Sequence, residues 1–231
     1  MAEFRRPHHR LVARLLKSLN SDFLSQAACY FGGGTQLAMA FGEYRESRDI
    51  DFLCSSRAGF RLLRQEVNDR SLGRVVSQAL PFARDVRADR DGIRTFFAVD
   101  EIRIKFEILL EARIDLAGRV DARLGVPVLS IEHAIAEKLL ANTDRGLDDS
   151  TLSRDLIDLA FAATRVEHNQ LHAGLVIAEQ AYGSSVLRLL LRCLDLFQKD
   201  RARAKHCVDT LAIEDTTTMR KGLRLLRGLA K

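Results

Sequence analysis

Apolar residues recur along this chain with two different periods, and the change of period divides it. Up to about residue 125, short helical patterns alternate with runs in which every second residue is apolar or β-branched. Such alternation predicts strands, so we expect an α/β domain over residues 1–125, with a mixed β-sheet and flanking helices. Beyond Pro127 the apolar positions repeat every three to four residues, which predicts an all-helical domain over residues 126–231.

The first domain resolves into individual elements. The predicted helices cover residues 7–26, 35–41 and 57–69. The predicted strands cover residues 29–31, 49–54, 82–88, 93–99 and 102–110. The turn pairs Asp91-Gly92 and Asp100-Glu101 separate the last three strands, which therefore form consecutive hairpins.

Composition narrows the class of protein. The chain has 231 residues, is 47% hydrophobic and 29% charged, and contains no apolar run long enough to predict a transmembrane helix. Its basic N-terminus lacks the apolar core of a signal peptide, so we expect a cytoplasmic protein without membrane partners. The four cysteines are far apart and lack metal-type spacing, which favours buried, reduced thiols.

The first candidate for chemistry is a glycine turn that precedes a helix. Gly33 and Gly34 open the helix predicted at Thr35, and backbone N–H groups at a helix start bind phosphate. Asp49 and Asp51 follow in a predicted strand, where alternation places both carboxylates on one face. Paired carboxylates beside a phosphate cradle suit Mg²⁺ bound to a nucleotide, which indicates nucleotidyl or phosphoryl transfer.

Glu107 is the predicted third carboxylate. In the strand at residues 102–110 one face is wholly apolar, and Lys105 and Glu107 lie on the other. If Glu107 lies beside Asp49 and Asp51, the three carboxylates can hold two divalent ions. The alternative is that Glu107 is a cross-strand partner of a basic residue.

A second cluster surrounds Lys138. Helical periodicity places Lys138 on the inward stripe of its helix, where an unpaired charge is costly. Its anionic partner is either a nucleotide phosphate or one of the carboxylates of Asp155 and Asp158, and the two possibilities are compatible.

With these residues in view, the chain resembles the AbiEii/AbiGii-type toxin nucleotidyltransferases of the DNA polymerase β-like superfamily. The resemblance spans residues 28–162 and is carried by five motifs: Gly33-Gly34-Thr35, Arg45-x-Ser47-x-Asp49-x-Asp51, Glu137-Lys138-Leu139, Asp144-Arg145 and Arg154-Asp155-x-x-Asp158-Leu159. It implies an NTP- and Mg²⁺-dependent nucleotidyltransferase fold with a helical C-terminal part.

The resemblance also assigns roles. It implies metal binding by Asp49 and Asp51, to which we add Glu107, and essential roles for Lys138 and Asp155. The expected nucleotide-binding residues are Gly33, Gly34, Thr35, Arg45, Ser47, Lys105 and Lys138. The glutamate at position 107, where the family often has aspartate, departs from the pattern.

The predicted reaction is transfer of a nucleoside monophosphate from an NTP to an acceptor. The family suggests RNA such as tRNA, and the toxin role implies an antitoxin protein. A small-molecule acceptor of antibiotic type and a non-catalytic nucleotide- or RNA-binding module are the alternatives. The last twelve residues contain five basic residues and no acid, matching the net charge of +5. They either contact a polyanion or form the solvated face of an amphipathic helix.

Overall fold

The computed structural model describes residues 4–99 and 101–229, in two compact units. The sheet unit contains the described residues up to Gln36 together with Ser47–Ser130. The helical unit contains Leu37–Glu46 and the described residues from Ile131 onward. Asp100 of the predicted turn and Lys231 of the basic tail lie outside the described residues.

A seven-stranded mixed sheet forms the centre of the sheet unit, in the order β3-β4-β5-β2-β1-β7-β6. Its strands are β1 (Cys29–Gly32), β2 (Ile50–Cys54), β3 (Phe82–Ala88), β4 (Gly92–Val99), β5 (Ile102–Leu110), β6 (Gly118–Asp121) and β7 (Val126–Leu129). The pairs β2–β5 and β1–β7 are parallel and the other neighbours are antiparallel. The predicted mixed sheet with flanking helices and a helical C-terminal part is confirmed.

Three helices and the start of a fourth belong to the sheet unit. They are α1 (Pro7–Leu16), α2 (Ser21–Gln26), the beginning of α3 (Gly33–Ala40) and α4 (Arg57–Glu66). The single helix predicted over residues 7–26 is wrong, because Asn20 has extended backbone angles and its side chain caps α2 by accepting from the N–H of Phe23.

Aromatic residues build the core beneath one face of the sheet. Phe31, Phe52, Phe97 and Phe106 are fully buried, and their rings contact one another from β1 through β2 and β5 to β4. The alternate positions of β5 point away from this core, as the apolar face predicted for this strand requires.

The helical unit contains the end of α3 and six further helices. They are α5 (Ile131–Arg145), α6 (Arg154–Ala163), α7 (His168–Tyr182), α8 (Ser185–Lys199), α9 (Arg201–Thr210) and α10 (Thr216–Gly228). Helix α10 packs against α6 at Gly222, where an added Cβ would collide with the carbonyl oxygen of Ala160. A side chain at this position would therefore push the two helices apart.

The C-terminal basic segment forms part of α10. Leu223 and Leu226 are buried, whereas Arg220, Lys221 and Arg224 are exposed. This arrangement is the amphipathic helix that the sequence offered as one interpretation of the tail.

The cysteines and the lengths of the helices were also considered from composition. All four cysteines are free and buried, as predicted. Within the described residues, no helix is long and apolar enough to cross a membrane.

Candidate active site

The glycine turn and Asp51 meet at the end of strand β1. Helix α3 begins at Gly33, whose φ of +72° is a left-handed conformation that favours glycine. An ideal Cβ built on Gly33 would lie 2.8 Å from Oδ2 of Asp51. The Asp51 carboxylate therefore occupies the space that any side chain at position 33 would need.

Two further predicted nucleotide-binding residues contact each other. Thr35 is buried in the first turn of α3, and its Oγ1 lies 2.8 Å from Oγ of Ser47, within hydrogen-bond distance. This contact links the start of α3 to the segment that leads into β2. The structure thus brings Thr35 and Ser47 together, although they are twelve residues apart.

Strand register places Glu107 beside Asp51. Gly32 of β1 lies opposite Asp51 of β2, and Asp51 lies opposite Glu107 of the parallel strand β5. Residues directly opposite each other in a sheet project from the same face. Asp51 and Glu107 are thus neighbours on one face, next to the glycine turn.

Asp49 differs from the prediction in its local structure. Strand β2 begins at Ile50, so Asp49 lies in the preceding loop and is exposed. Strand alternation with Asp51 does not apply to a residue outside the strand. The position of Asp49 next to β2 still leaves its carboxylate near the start of the strand.

Glu107 is held by two cations. Its Oε2 accepts a 2.6 Å hydrogen bond from Nζ of Lys105, and its Oε1 lies 3.3 Å from Nε of Arg94. Arg94 lies directly opposite Glu107 on β4, so the cross-strand partner considered for Glu107 is present.

Among the described residues, no three or more His, Cys, Asp or Glu side chains form a group that could hold a metal ion. The ion pairs of Glu107 supply the physical reason, because its two oxygens already face Lys105 and Arg94. Metal binding by Asp49, Asp51 and Glu107 stays a prediction.

Lys138 and Arg45 belong to a buried charge network within the helical unit. Nζ of Lys138 lies 2.8 Å from Oδ1 of Asp155 and 2.8 Å from Oδ2 of Asp158. Arg45 binds Asp158 through two hydrogen bonds, Nε to Oδ1 at 2.7 Å and Nη2 to Oδ2 at 2.9 Å. The ion pair that the sequence offered as a partner for Lys138 is thus formed, with both aspartates.

Two more residues complete this network. The hydroxyl of Tyr44 donates to Oδ1 of Asp158 at 2.7 Å, and the Tyr44 ring stacks on Phe161. Nε of Arg145 donates to Oδ2 of Asp155 at 2.8 Å. Sequence analysis missed Tyr44, because no periodic or motif signal marks a tyrosine that pairs with a residue 114 positions away.

Burial and the neighbouring cations shift the pKa values of the two aspartates in opposite directions. Burial alone would raise the pKa of Asp158, but Arg45 and Lys138 outweigh it and hold the pKa below its usual value. The pKa of Asp155 is likewise held well below its usual range, since Lys138 and Arg145 outweigh its burial. Burial lowers the pKa of Lys138, and the two carboxylates more than restore it. All three groups are therefore charged at neutral pH.

Two solved structures are similar in fold to this chain. A candidate nucleotidyltransferase from Helicobacter pylori has a TM-score of 0.53 and 17% identity, over 96% of this chain and 92% of that chain. The protein JHP933 from Helicobacter pylori has the same TM-score and identity, over 96% of this chain and 90% of that chain. At this identity the likeness establishes the fold alone.

The sequence defines the family. Residues 14–221 match the family described as nucleotidyl transferase AbiEii toxin of a type IV toxin–antitoxin system. The chain therefore belongs to the AbiEii nucleotidyltransferase toxin family, and it is a nucleotidyltransferase. No curated protein matches the chain in sequence. The family inferred from the five motifs is confirmed.

Proposed function

We propose that this nucleotidyltransferase moves a nucleoside monophosphate from an NTP to an RNA acceptor, and that it acts as the toxin of a toxin–antitoxin pair. The observation that carries the proposal is the position of the Asp51 carboxylate against Gly33. A phosphate-binding turn in contact with a carboxylate is the arrangement that nucleotidyl transfer needs. The family description supports the toxin role and, with it, an antitoxin partner.

The residues near the glycine turn fit a divalent metal. Asp51 offers carboxylate oxygens, the ligands that Mg²⁺ prefers, against the turn proposed to bind the phosphates, and Asp49 precedes it by two residues in the chain. Glu107 adjoins Asp51 and is the third candidate ligand once a triphosphate competes for its cations. When bound, Mg²⁺ would neutralise charge on the phosphates and polarise the α-phosphate.

The protein's own groups bind and orient the nucleotide. Backbone N–H groups of Gly33, Gly34 and Thr35 at the start of α3 bind the triphosphate. Ser47 orients the Thr35 hydroxyl through their 2.8 Å contact. The side chain of Lys105 is 39% exposed, and its ammonium group moves from Glu107 to a phosphate oxygen.

Lys138, Asp155 and Arg45 have a different role from the residues at the glycine turn. Because Lys138 and Arg45 are almost fully buried and bind carboxylates, we assign all three residues a positioning role within the helical unit. In this role they hold α5 and α6 together around Asp158, and the nucleotide-binding role expected of Arg45 and Lys138 stays a prediction. Their loss would lower activity through the stability of this unit.

The test is incorporation of labelled NTP into total RNA in the presence of Mg²⁺. Asp49→Asn/Asp51→Asn should reduce incorporation by at least about 100-fold, because the substitutions remove charge from the reacting centre. Asp22→Asn/Asp69→Asn removes the same charge from exposed positions of the same unit and should leave incorporation intact. Growth arrest on expression in bacteria should be lost with the first pair only.

Three results would overturn the proposal. Equal incorporation by the wild type and the Asp49/Asp51 variant would refute the mechanism. Modification of a small molecule with no labelling of RNA would favour the antibiotic-type transferase. Tight NTP binding with no turnover on any acceptor would favour a binding module.

A further inference from the structure

The strands β3, β4 and β5 expose a basic face. Residues directly opposite each other project from the same side of a sheet. Glu107 lies opposite Arg94, which lies opposite Arg87 of the edge strand β3. Lys105 lies opposite Phe96, which lies opposite Arg84. Together with the residue two positions before Lys105, the face carries five basic side chains: Arg84, Arg87, Arg94, Arg103 and Lys105.

Two irregularities in β3 bring both of its arginines to this face. Phe82 pairs with Phe97 on the core side, and the register then shifts so that Arg84 pairs with Phe96 on the opposite side. A second shift separates Arg84 from Arg87. Strict alternation would place Arg84 on the same side as Phe82 and would place Arg84 and Arg87 on opposite sides. The bulges therefore turn both arginines outward.

Phe96 provides an aromatic surface within this basic face. It points away from the aromatic core to which its neighbour Phe97 belongs, and it is only half-buried. Its two cross-strand neighbours are the basic residues Arg84 and Lys105. Aromatic rings flanked by cations on an open sheet are typical of surfaces that bind single-stranded nucleic acid, because bases stack on the ring and phosphates contact the cations.

Three of these five cations have no carboxylate partner among the residues that the structure describes. Arg94 and Lys105 pair with Glu107, and Arg94 also pairs with Asp89. Within residues 4–99 and 101–229, no acidic side chain forms an ion pair with Arg84, Arg87 or Arg103. Uncompensated guanidinium groups on an exposed face attract a polyanion and bind phosphate through their planar donor fork.

The basic face is continuous with the candidate active site. The row from Arg87 through Arg94 and Glu107 ends at Asp51, next to the glycine turn. Phe96 is displaced from this row by two residues along the strand, or about 7 Å. A single-stranded RNA that stacks a base on Phe96 would therefore have its end near Asp51.

We propose that this face of β3–β5 binds the single-stranded end of the RNA acceptor, with one base stacked on Phe96 and phosphates on Arg84 and Arg87. The inference rests on the proposed transfer to RNA. An acidic protein is the other polyanion that the charge would attract. The half-exposed ring on an open sheet favours RNA, since an acidic protein segment has no base to stack on it.

The test is fluorescence anisotropy of a labelled 12-nucleotide single-stranded RNA with the full chain, over a series of salt concentrations. Phe96→Leu should raise Kd about tenfold, because it keeps an apolar side chain but removes stacking. Phe96→Tyr, which keeps the ring, should bind like the wild type. Arg84→Ala/Arg87→Ala should make the plot of log association constant against log salt concentration less steep by about 1.4, the value for two phosphate contacts.

A matched pair of substitutions controls for net charge. Arg61→Ala/Arg64→Ala removes two exposed arginines from α4 of the same unit and should leave Kd and the salt slope unchanged. Equal weakening by both arginine pairs, or an unchanged Kd in Phe96→Leu, would overturn the proposal. Competition by polyglutamate as effective as that of unlabelled RNA would assign the face to an acidic protein instead. Circular dichroism verifies that each variant is folded.

The two proposals fail in different ways. Phe96-dependent RNA binding without nucleotide transfer would support this face and defeat the proposed function. Transfer that requires Asp49 and Asp51, with RNA binding indifferent to Phe96, would support the proposed function and defeat this face.

Discussion

Replacing Lys138 with methionine tests whether the buried charge network stabilises the helical unit. Four side chains at its centre are almost fully buried: Arg45 is 4% exposed, Lys138 6%, Asp155 2% and Asp158 0%. They carry two positive and two negative charges, so the buried group is neutral. Lys138→Met leaves two buried negative charges and one buried positive charge among these side chains.

The magnitude follows from the partners that remain. Removing one member of a buried ion pair costs about 3–5 kcal/mol. Asp158 keeps its two hydrogen bonds from Arg45, and Asp155 keeps Arg145, whose side chain is 44% exposed. Because both carboxylates keep a cation, we expect the lower end of the range, about 3 kcal/mol. A domain of typical stability would remain folded at this cost.

Urea denaturation measures this change. The chain has no tryptophan and three tyrosines, so tyrosine fluorescence includes Tyr44, which donates to Asp158 inside the network. Far-UV circular dichroism reports helix loss in parallel. Lys205→Met is the matched control, because Lys205 pairs with Asp209 on the surface of α9 and such pairs contribute less than about 0.5 kcal/mol.

The difference between wild type and Lys138→Met should depend on pH. The pKa values of Asp155 and Asp158 are depressed in the folded protein, so their contribution is complete above the pKa of an unfolded aspartate, about 3.9. It is lost as pH falls through the depressed values. The cost of Lys138→Met should thus be largest at pH 7 and shrink below about pH 4. A variant within 1 kcal/mol of the wild type at pH 7, or a cost that grows on acidification, would refute this account.

Two glycine substitutions give further predictions. Gly33→Ala should weaken ATP binding, measured by calorimetry, by more than Gly183→Ala does. Both positions have positive φ, but of the two only Gly33 faces Asp51. Equal ATP affinities of the two variants would contradict the role of the turn. The conformational cost alone is about 1–3 kcal/mol at each position. Gly222→Ala should lower the thermal midpoint clearly, because its Cβ would collide with the backbone of α6. Gly228→Ala near the end of the same helix has open space and should be neutral or stabilising, so equal shifts of the two midpoints would exclude the collision.

The parts of the fold that follow from local pattern could be predicted. Alternation in residues 102–110 predicts β5 and its apolar face, and the glycines at 33 and 34 predict the start of a helix. Strands β6 and β7 were not predicted, since β6 contains Val120 as its one large apolar residue and β7 contains Pro127, which has no backbone N–H to donate. The break at Asn20 was also missed, because the apolar pattern continues through it.

The candidate site could likewise be predicted only in part. Its residue types and their order along the chain follow from the sequence, which also offered both interpretations of Glu107 and of Lys138. The choice between those interpretations depends on partners that are distant in the chain. Arg94 faces Glu107 only through the register of β4 and β5, and no local pattern specifies register.

The sequence alone indicated phosphate chemistry, because glycines, aspartates and their spacing are local features that such chemistry requires, and the family resemblance of its five motifs gave the class of enzyme. Tertiary structure decided how the charges are distributed. It paired Glu107 with Arg94 and Lys105, buried Lys138 between two aspartates, and turned Arg84 and Arg87 outward through bulges in β3. The physical reason is that ion pairs and strand register join residues across the fold, whereas the periodicity of a sequence describes only one element at a time.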